Sequence, residues 1–106
     1  MSAWLKLCPI DEIPVLGSRV MPRMNRPNIA IFRSSDNTVF AVEDVCPHKG
    51  GPLSQGIMHG NKVTCPLHGW NISLDTGTAC SPDEGCARTF PTRLSDGVVW
   101  LQVSQD

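Results

Sequence analysis

The sequence predicts an all-β fold, either a sandwich or a barrel. Short runs rich in β-branched and other apolar residues recur along the 106-residue chain at intervals bounded by turn residues. Such spacing is typical of all-β domains. The chain also contains nine prolines and nine glycines, which suit an architecture with many turns and interrupt long helices. We therefore expect short strands throughout and nothing helical beyond a single turn.

Four strands are predicted in the first half of the chain, at residues 5–8, 19–21, 29–33 and 39–42. The Ser-Ser-Asp-Asn run at residues 34–37 predicts the turn between the last two of them, because these side chains hydrogen-bond to nearby backbone. One helical turn is expected at residues 11–13, and Pro14 should end it.

The second half of the chain continues the same pattern. Strands are predicted at residues 62–64, 71–74, 87–90, 91–94 and 98–103. The Asp75–Thr78 run predicts a turn after the second of these. Asp96-Gly97 lies between the last two strands and is a strong signal for a two-residue hairpin turn, because both residue types tolerate positive φ.

Two short runs carry the chemistry of the chain, Cys46-Pro47-His48 and Cys65-Pro66-Leu67-His68, and sixteen residues separate them. Together they provide two thiols and two imidazoles, a donor set that suits an iron–sulfur cluster or a structural zinc ion. A zinc knuckle usually separates its first two ligands by two to four residues, whereas a single proline lies between Cys46 and His48. The spacing therefore favours the iron–sulfur site over zinc.

The extended runs Cys-Pro-His-Lys-Gly-Gly-Pro-Leu from Cys46 and Cys-Pro-Leu-His-Gly-Trp from Cys65 resemble the two ligand loops of the Rieske family. The resemblance implies a [2Fe-2S] cluster, with Cys46 and Cys65 on the inner iron and His48 and His68 on the more exposed one. It also implies a base of two antiparallel sheets, with a cluster-binding subdomain inserted at residues 44–78. The length of 106 residues independently predicts a single domain of residues 1–106. No catalytic residue is implied, because the role of such a cluster is one-electron transfer.

Further segments resemble the small subunit of assimilatory NAD(P)H-dependent nitrite reductase, namely residues 4–8, 81–91 and 96–99. That resemblance implies a large partner subunit with flavin, a further iron–sulfur centre and sirohaem, which reduces nitrite to ammonium. The chain would then be an electron-transfer subunit of an oxidoreductase and not a catalyst on its own. The alternative is a Rieske-type ferredoxin that delivers electrons to a ring-hydroxylating dioxygenase. A third possibility is a zinc-stabilised interaction domain.

Composition limits the other partners and the compartment. The formal net charge of −1 gives no electrostatic basis for binding nucleic acid. No apolar stretch approaches the eighteen or so residues needed to span a membrane, and the amino terminus lacks the pattern of a signal peptide. We therefore expect a cytoplasmic protein, in which Cys8, Cys80 and Cys86 are free thiols by default and a Cys80–Cys86 bridge is the alternative.

Two further side chains near the motif are interpreted less specifically. His59 lies between the two ligand runs and is expected to be a surface residue that binds no metal. Trp70 follows His68 by two residues, and it could either pack in the core or shield the cluster from water.

The residues around the motif predict a low reduction potential. High-potential Rieske proteins, by the same resemblance, carry a disulfide where this chain has Gly51 and Leu67, and hydroxyl donors where it has Trp70 and no tyrosine. Fewer donors stabilise the reduced cluster less. We expect a midpoint of about −150 mV or somewhat above, measured by redox titration. A midpoint well above zero would contradict this expectation.

Overall fold

The computed structural model describes residues 2–46, 51–66, 69–79 and 85–104. Within these ranges the chain forms ten strands and two 3₁₀ turns, and it has no α-helix. The strands are β1 (Ser2–Pro9), β2 (Ser18–Met21), β3 (Ile29–Arg33), β4 (Val39–Glu43), β5 (Ile57–His59), β6 (Lys62–Thr64), β7 (Asn71–Ser73), β8 (Thr89–Phe90), β9 (Thr92–Ser95) and β10 (Val98–Ser104). The 3₁₀ turns span Ile10–Glu12 and Leu53–Gln55. The all-β prediction is confirmed.

The strands form three antiparallel sheets. The base sheet has the order β1-β10-β9, the middle sheet β2-β3-β4-β8, and the small sheet β5-β6-β7. Strands β9 and β10 form the predicted hairpin, in which Ser95 pairs with Val98 around Asp96-Gly97. Asp96 and Gly97 both have positive φ, 52° and 76°, as a two-residue turn that follows the twist of the strands requires.

Strand β3 is buried on both of its faces, because successive side chains of a strand point to opposite sides of the sheet. Ile29 and Ile31 pack in one hydrophobic cluster, the first core, together with Val99 and Leu101 of the base sheet. Ala30 and Phe32 pack in a different cluster, the second core. The second core also contains Met58, Val63 and Ile72 of the small sheet. The middle sheet therefore has the base sheet on one face and the small sheet on the other.

Several elements differ from their predicted bounds. Strand β5 is absent from the sequence prediction, because its residues Ile57, Met58 and His59 do not alternate between apolar and polar, Ile57 being apolar yet exposed. The segment predicted at residues 87–90 is a strand only at Thr89–Phe90, and it pairs with β4 of the middle sheet. The predicted helical turn is the first 3₁₀ turn, shifted by one residue toward the amino terminus.

The small sheet and the second 3₁₀ turn lie within residues 44–78, the range predicted as a subdomain. Those boundaries, and the single domain over residues 1–106, stay predictions. Among the described residues, none of the helical segments has the length and apolar character needed to cross a lipid bilayer.

Gly77 should tolerate substitution poorly, because its φ is +77° and an added Cβ would lie 2.0 Å from the carbonyl oxygen of Ala87. Gly97 is a matched control, since its φ is +76° and an added Cβ would meet nothing within 4 Å. We expect Gly97→Ala to lower the free energy of unfolding by about 1–2 kcal/mol through backbone strain alone. Gly77→Ala should cost roughly 2 kcal/mol more, because backbone must also move. Urea denaturation measures both, and equal losses would contradict the structure.

Candidate metal centre

Cys46 lies three residues after the end of β4 and is 1 % exposed. Its side chain belongs to the second core, together with apolar residues of the small sheet. The backbone N–H of Cys46 donates to the carbonyl oxygen of Gly51 at 2.7 Å. This hydrogen bond closes the loop that carries the first ligand run, with its cysteine at the buried base.

Cys65 follows β6 directly and is also 1 % exposed within the second core. Its backbone N–H donates to the carbonyl oxygen of Trp70 at 2.7 Å, and the N–H of Gly69 donates back to the carbonyl of Cys65 at 3.1 Å. Gly69 has a φ of +72°, which costs glycine little and other residues more. The second loop is therefore closed at its base as well.

Both loops close by the same contact, from the cysteine N–H to the carbonyl oxygen five residues later. Each cysteine thus begins a loop that is closed by the same type of hydrogen bond, and both thiols are buried in the second core. The predicted inner ligands, Cys46 and Cys65, lie in corresponding positions. His48 and His68, the other two predicted ligands, lie outside the described residues, and their assignment stays a prediction.

The two chain segments that lead into and out of the first loop are called its stem. A side-chain contact joins these two segments. The Asp44 carboxylate accepts two hydrogen bonds from Ser54, one from the backbone N–H to Oδ1 at 2.6 Å and one from the hydroxyl to Oδ2 at 2.7 Å. Asp44 lies two residues before Cys46. Ser54 lies in the second 3₁₀ turn. Two bonds to one carboxylate set both its position and its orientation.

The stem of the second loop is held by Thr64, whose hydroxyl donates to Oδ1 of Asn71 at 2.6 Å. Thr64 immediately precedes Cys65, and Asn71 immediately follows Trp70. The Nε2 atom of His59 lies 2.8 Å from the same Thr64 hydroxyl. The imidazole of His59 is otherwise exposed, as predicted for a surface residue.

These four stem residues, Asp44, Ser54, Thr64 and Asn71, are missing from the sequence-predicted site. Only the position of each residue beside a ligand run could have indicated them, because their partners lie seven or ten residues away along the chain. Trp70, whose role the sequence leaves open, is half-buried and packs against the second core.

The end of β4, from which the first loop departs, is anchored by Arg23. Its Nη2 lies 3.0 Å from Oε2 of Glu43, and its Nε donates to the carbonyl of Pro27 at 2.8 Å. The guanidinium carbon also lies 5.3 Å from the centre of the Phe90 ring. Only 9 % of the Arg23 side chain is exposed, and separating such a buried pair would leave a desolvated charge. The residue just before Asp44 is thereby held in place.

Two of the remaining cysteines are free thiols. Cys8 is buried in the first core, and burial raises the pKa of its thiol, which keeps it protonated and poorly suited to bind metal. Cys86 is free and exposed, so the expected free thiols are found at both positions. Cys80, the suggested bridging partner of Cys86, lies outside the described residues.

A surface cavity of about 380 Å³ opens beside the second loop. Its lining comprises Gln55, Gly56, Ile57, Thr64, Cys65, Pro66 and Gly69. Ile57 is 73 % exposed at its edge. The surface next to Cys65 is therefore concave and carries an exposed apolar side chain.

Comparison with known proteins agrees with this geometry. The model of the Rieske [2Fe-2S] domain matches residues 3–91. The 3-phenylpropionate/cinnamic acid dioxygenase ferredoxin subunit of Photorhabdus laumondii is 36 % identical over 104 residues, which cover 96 % of each chain. The vanillate O-demethylase oxygenase subunit of Pseudomonas sp. (strain ATCC 19151) is 36 % identical over 78 residues, which cover 69 % of this chain and only 24 % of that longer protein.

Among solved structures, a candidate small subunit of NADPH nitrite reductase aligns with a TM-score of 0.79. It is 26 % identical, and the alignment covers 93 % of this chain and 97 % of that one. Both kinds of system that the sequence suggests are therefore represented among similar proteins.

The described residues include two of the four ligands that a Rieske cluster needs. Iron–sulfur clusters bind cysteine thiolates, and Cys46 and Cys65 provide two thiols at the bases of two matching loops. An isolated buried thiolate would be costly, whereas coordination of iron compensates its charge. The burial of both thiols is thus compatible with this cofactor.

Proposed function

The chain belongs to the Rieske [2Fe-2S] family, and we propose that it acts as a ferredoxin that delivers single electrons to a ring-hydroxylating oxygenase. Electron transfer through a Rieske-type [2Fe-2S] cluster is the function of the family, and the choice of oxygenase is our proposal. The similarity to the Photorhabdus laumondii ferredoxin subunit, 36 % identity over 96 % of both chains, carries that choice. The alignment spans nearly all of that ferredoxin subunit, which supports a ferredoxin role.

We propose that Cys46 and Cys65 hold one iron and that His48 and His68 hold the other. Such a cluster accepts and returns one electron, and two neutral imidazoles in place of thiolates raise its potential above the all-cysteine type. The chain's own residues bury the thiols, close both loops through the cysteine N–H groups and keep water from the base of the site. None of these residues has a catalytic role.

The second candidate is the small subunit of an NAD(P)H-dependent nitrite reductase. The structural neighbour with a TM-score of 0.79 over 93 % of this chain supports it, together with the resemblance of residues 4–8, 81–91 and 96–99. Residues 81–84 lie outside the described residues. In this case the partner would be a large flavin and sirohaem subunit. Both candidates need the same four ligands and differ only in the partner.

The proposed ligands can be tested by substitution in the full chain. Cys46→Ser and Cys65→Ser should each abolish the visible absorption of the oxidised cluster and lower iron and acid-labile sulfide to near zero, because each removes a thiolate. His48→Ala and His68→Ala should also abolish the native spectrum.

Cys86→Ser is the matched control, because Cys86 is an exposed free thiol. It should retain the full cluster content. A cluster that survives either cysteine substitution would disprove the ligand assignment, and zinc in place of iron would disprove the proposed cofactor.

The partner is tested by anaerobic purification of the tagged chain from its native cells, followed by reconstitution. We expect a chain that separates from its partners, takes one electron from a flavoprotein reductase and reduces a ring-hydroxylating oxygenase. Stable co-purification with a sirohaem polypeptide, together with support of NAD(P)H-driven nitrite reduction, would instead establish the second candidate.

A further inference from the structure

The stems of the two ligand loops are joined to each other through Gly56. This residue follows the second 3₁₀ turn, which carries Ser54, and an added Cβ would lie 2.2 Å from the carbonyl oxygen of Thr64. Only a residue without a side chain permits that approach. Backbone leaving the first loop therefore lies directly against the residue that precedes Cys65.

The second 3₁₀ turn is itself fixed to the rest of the protein. The carbonyl oxygen of Ser54 accepts the hydroxyl hydrogen of Ser18 in β2 at 3.1 Å. Leu53, the first residue of the turn, is fully buried in the second core. Asp44 is also tied to the loop before β3, because its N–H donates to the carbonyl of Asn28 at 2.8 Å. Both sides of the first stem thus have additional supports.

We propose that Asp44, Ser54, Gly56, Thr64 and Asn71 form one brace that fixes the position of Cys46 relative to Cys65. The proposal rests on the proposed binding of iron by these two cysteines. The brace runs from Asp44 through its two bonds to Ser54, then through the close contact of Gly56 with Thr64, and ends at Asn71. Its members are positioning residues, since they act through the two cysteines.

A rigid brace has two consequences for the cysteines. It holds both sulfur atoms at fixed positions, so that ligands do not have to be ordered when iron binds, and preorganised ligands release a metal more slowly. It also limits the movement of the loops when the charge of the site changes. The brace thus affects the retention and the electronic structure of the bound cluster.

Thr64 offers the sharpest test, because Thr64→Val removes the hydroxyl and preserves shape and strand preference. Thr64→Ser restores the hydroxyl. In the cluster-loaded chain, we expect Thr64→Val to accelerate iron release to a chelator by roughly tenfold, as the loss of about 1.4 kcal/mol would. It should also broaden or shift the EPR signal of the reduced cluster. Thr64→Ser should return both quantities toward the wild-type values.

Asp44→Ala tests the other end of the brace, with Asp36→Ala as its matched control. Asp36 also accepts a hydrogen bond from a serine hydroxyl, that of Ser34, but it lies in the turn between β3 and β4. Asp44→Ala should accelerate iron release by at least roughly tenfold, because bonds to a charged group are worth more than neutral ones. Asp36→Ala should leave iron release and the EPR signal unchanged.

Combining Asp44→Ala with Thr64→Val tests whether the two stems act together. Contacting elements give non-additive effects, whereas independent sites give effects that multiply as rates. We expect the double variant to accelerate iron release by clearly less than the product of the two accelerations that the single variants cause. Independent multiplication would overturn the single brace.

The outcomes separate this inference from the proposed function. A wild-type chain that binds no two-iron cluster would overturn the proposed ligands. A cluster-loaded chain in which Thr64→Val and Asp44→Ala behave like Asp36→Ala would overturn the brace and leave the ligands in place. If Asp44→Ala does not fold, the comparison of Thr64→Val with Thr64→Ser is the test of the brace. Failure of Thr64→Ser to restore iron retention and the EPR signal contradicts the proposal.

Discussion

The burial of β3 on both faces is the constraint that organises this protein. Ile29 and Ile31 pack toward the base sheet, and Ala30 and Phe32 pack toward the small sheet. A strand with two apolar faces must be covered on both sides. One consequence is the second core, which is separate from the first core between the middle sheet and the base sheet. Cys46 and Cys65 belong to this second core, so the site depends on the same strand.

The described parts of the two predicted ligand loops are held together at the base and at the stem. Each base closes through a cysteine N–H and the carbonyl oxygen five residues later, and each stem has a side-chain contact of its own. Loops usually open and move more readily than strands. Hydrogen bonds at the base and stem restrict that motion where the thiols of Cys46 and Cys65 lie.

The position of the proposed ligands Cys46 and Cys65 in the second core suits electron transfer. The described part of the chain places both thiols away from water, and the surface beside Cys65 is concave with an exposed Ile57. The same module serves inside a longer oxygenase subunit and as a separate ferredoxin subunit among its relatives.

Residue types and local spacing were sufficient to predict the strand-rich fold and the Asp96-Gly97 hairpin, because these features depend on neighbours in the chain. The same spacing indicated four candidate ligands, of which Cys46 and Cys65 lie in one core. The apolar run Ile29–Arg33 likewise predicted a strand. Its place between two sheets, the pairing of β8 with β4, and the contacts of Asp44 with Ser54 and of Gly56 with Thr64 could not be predicted in that way. They join residues brought together by folding, and an alternating pattern specifies which face of a strand is buried without specifying what covers it.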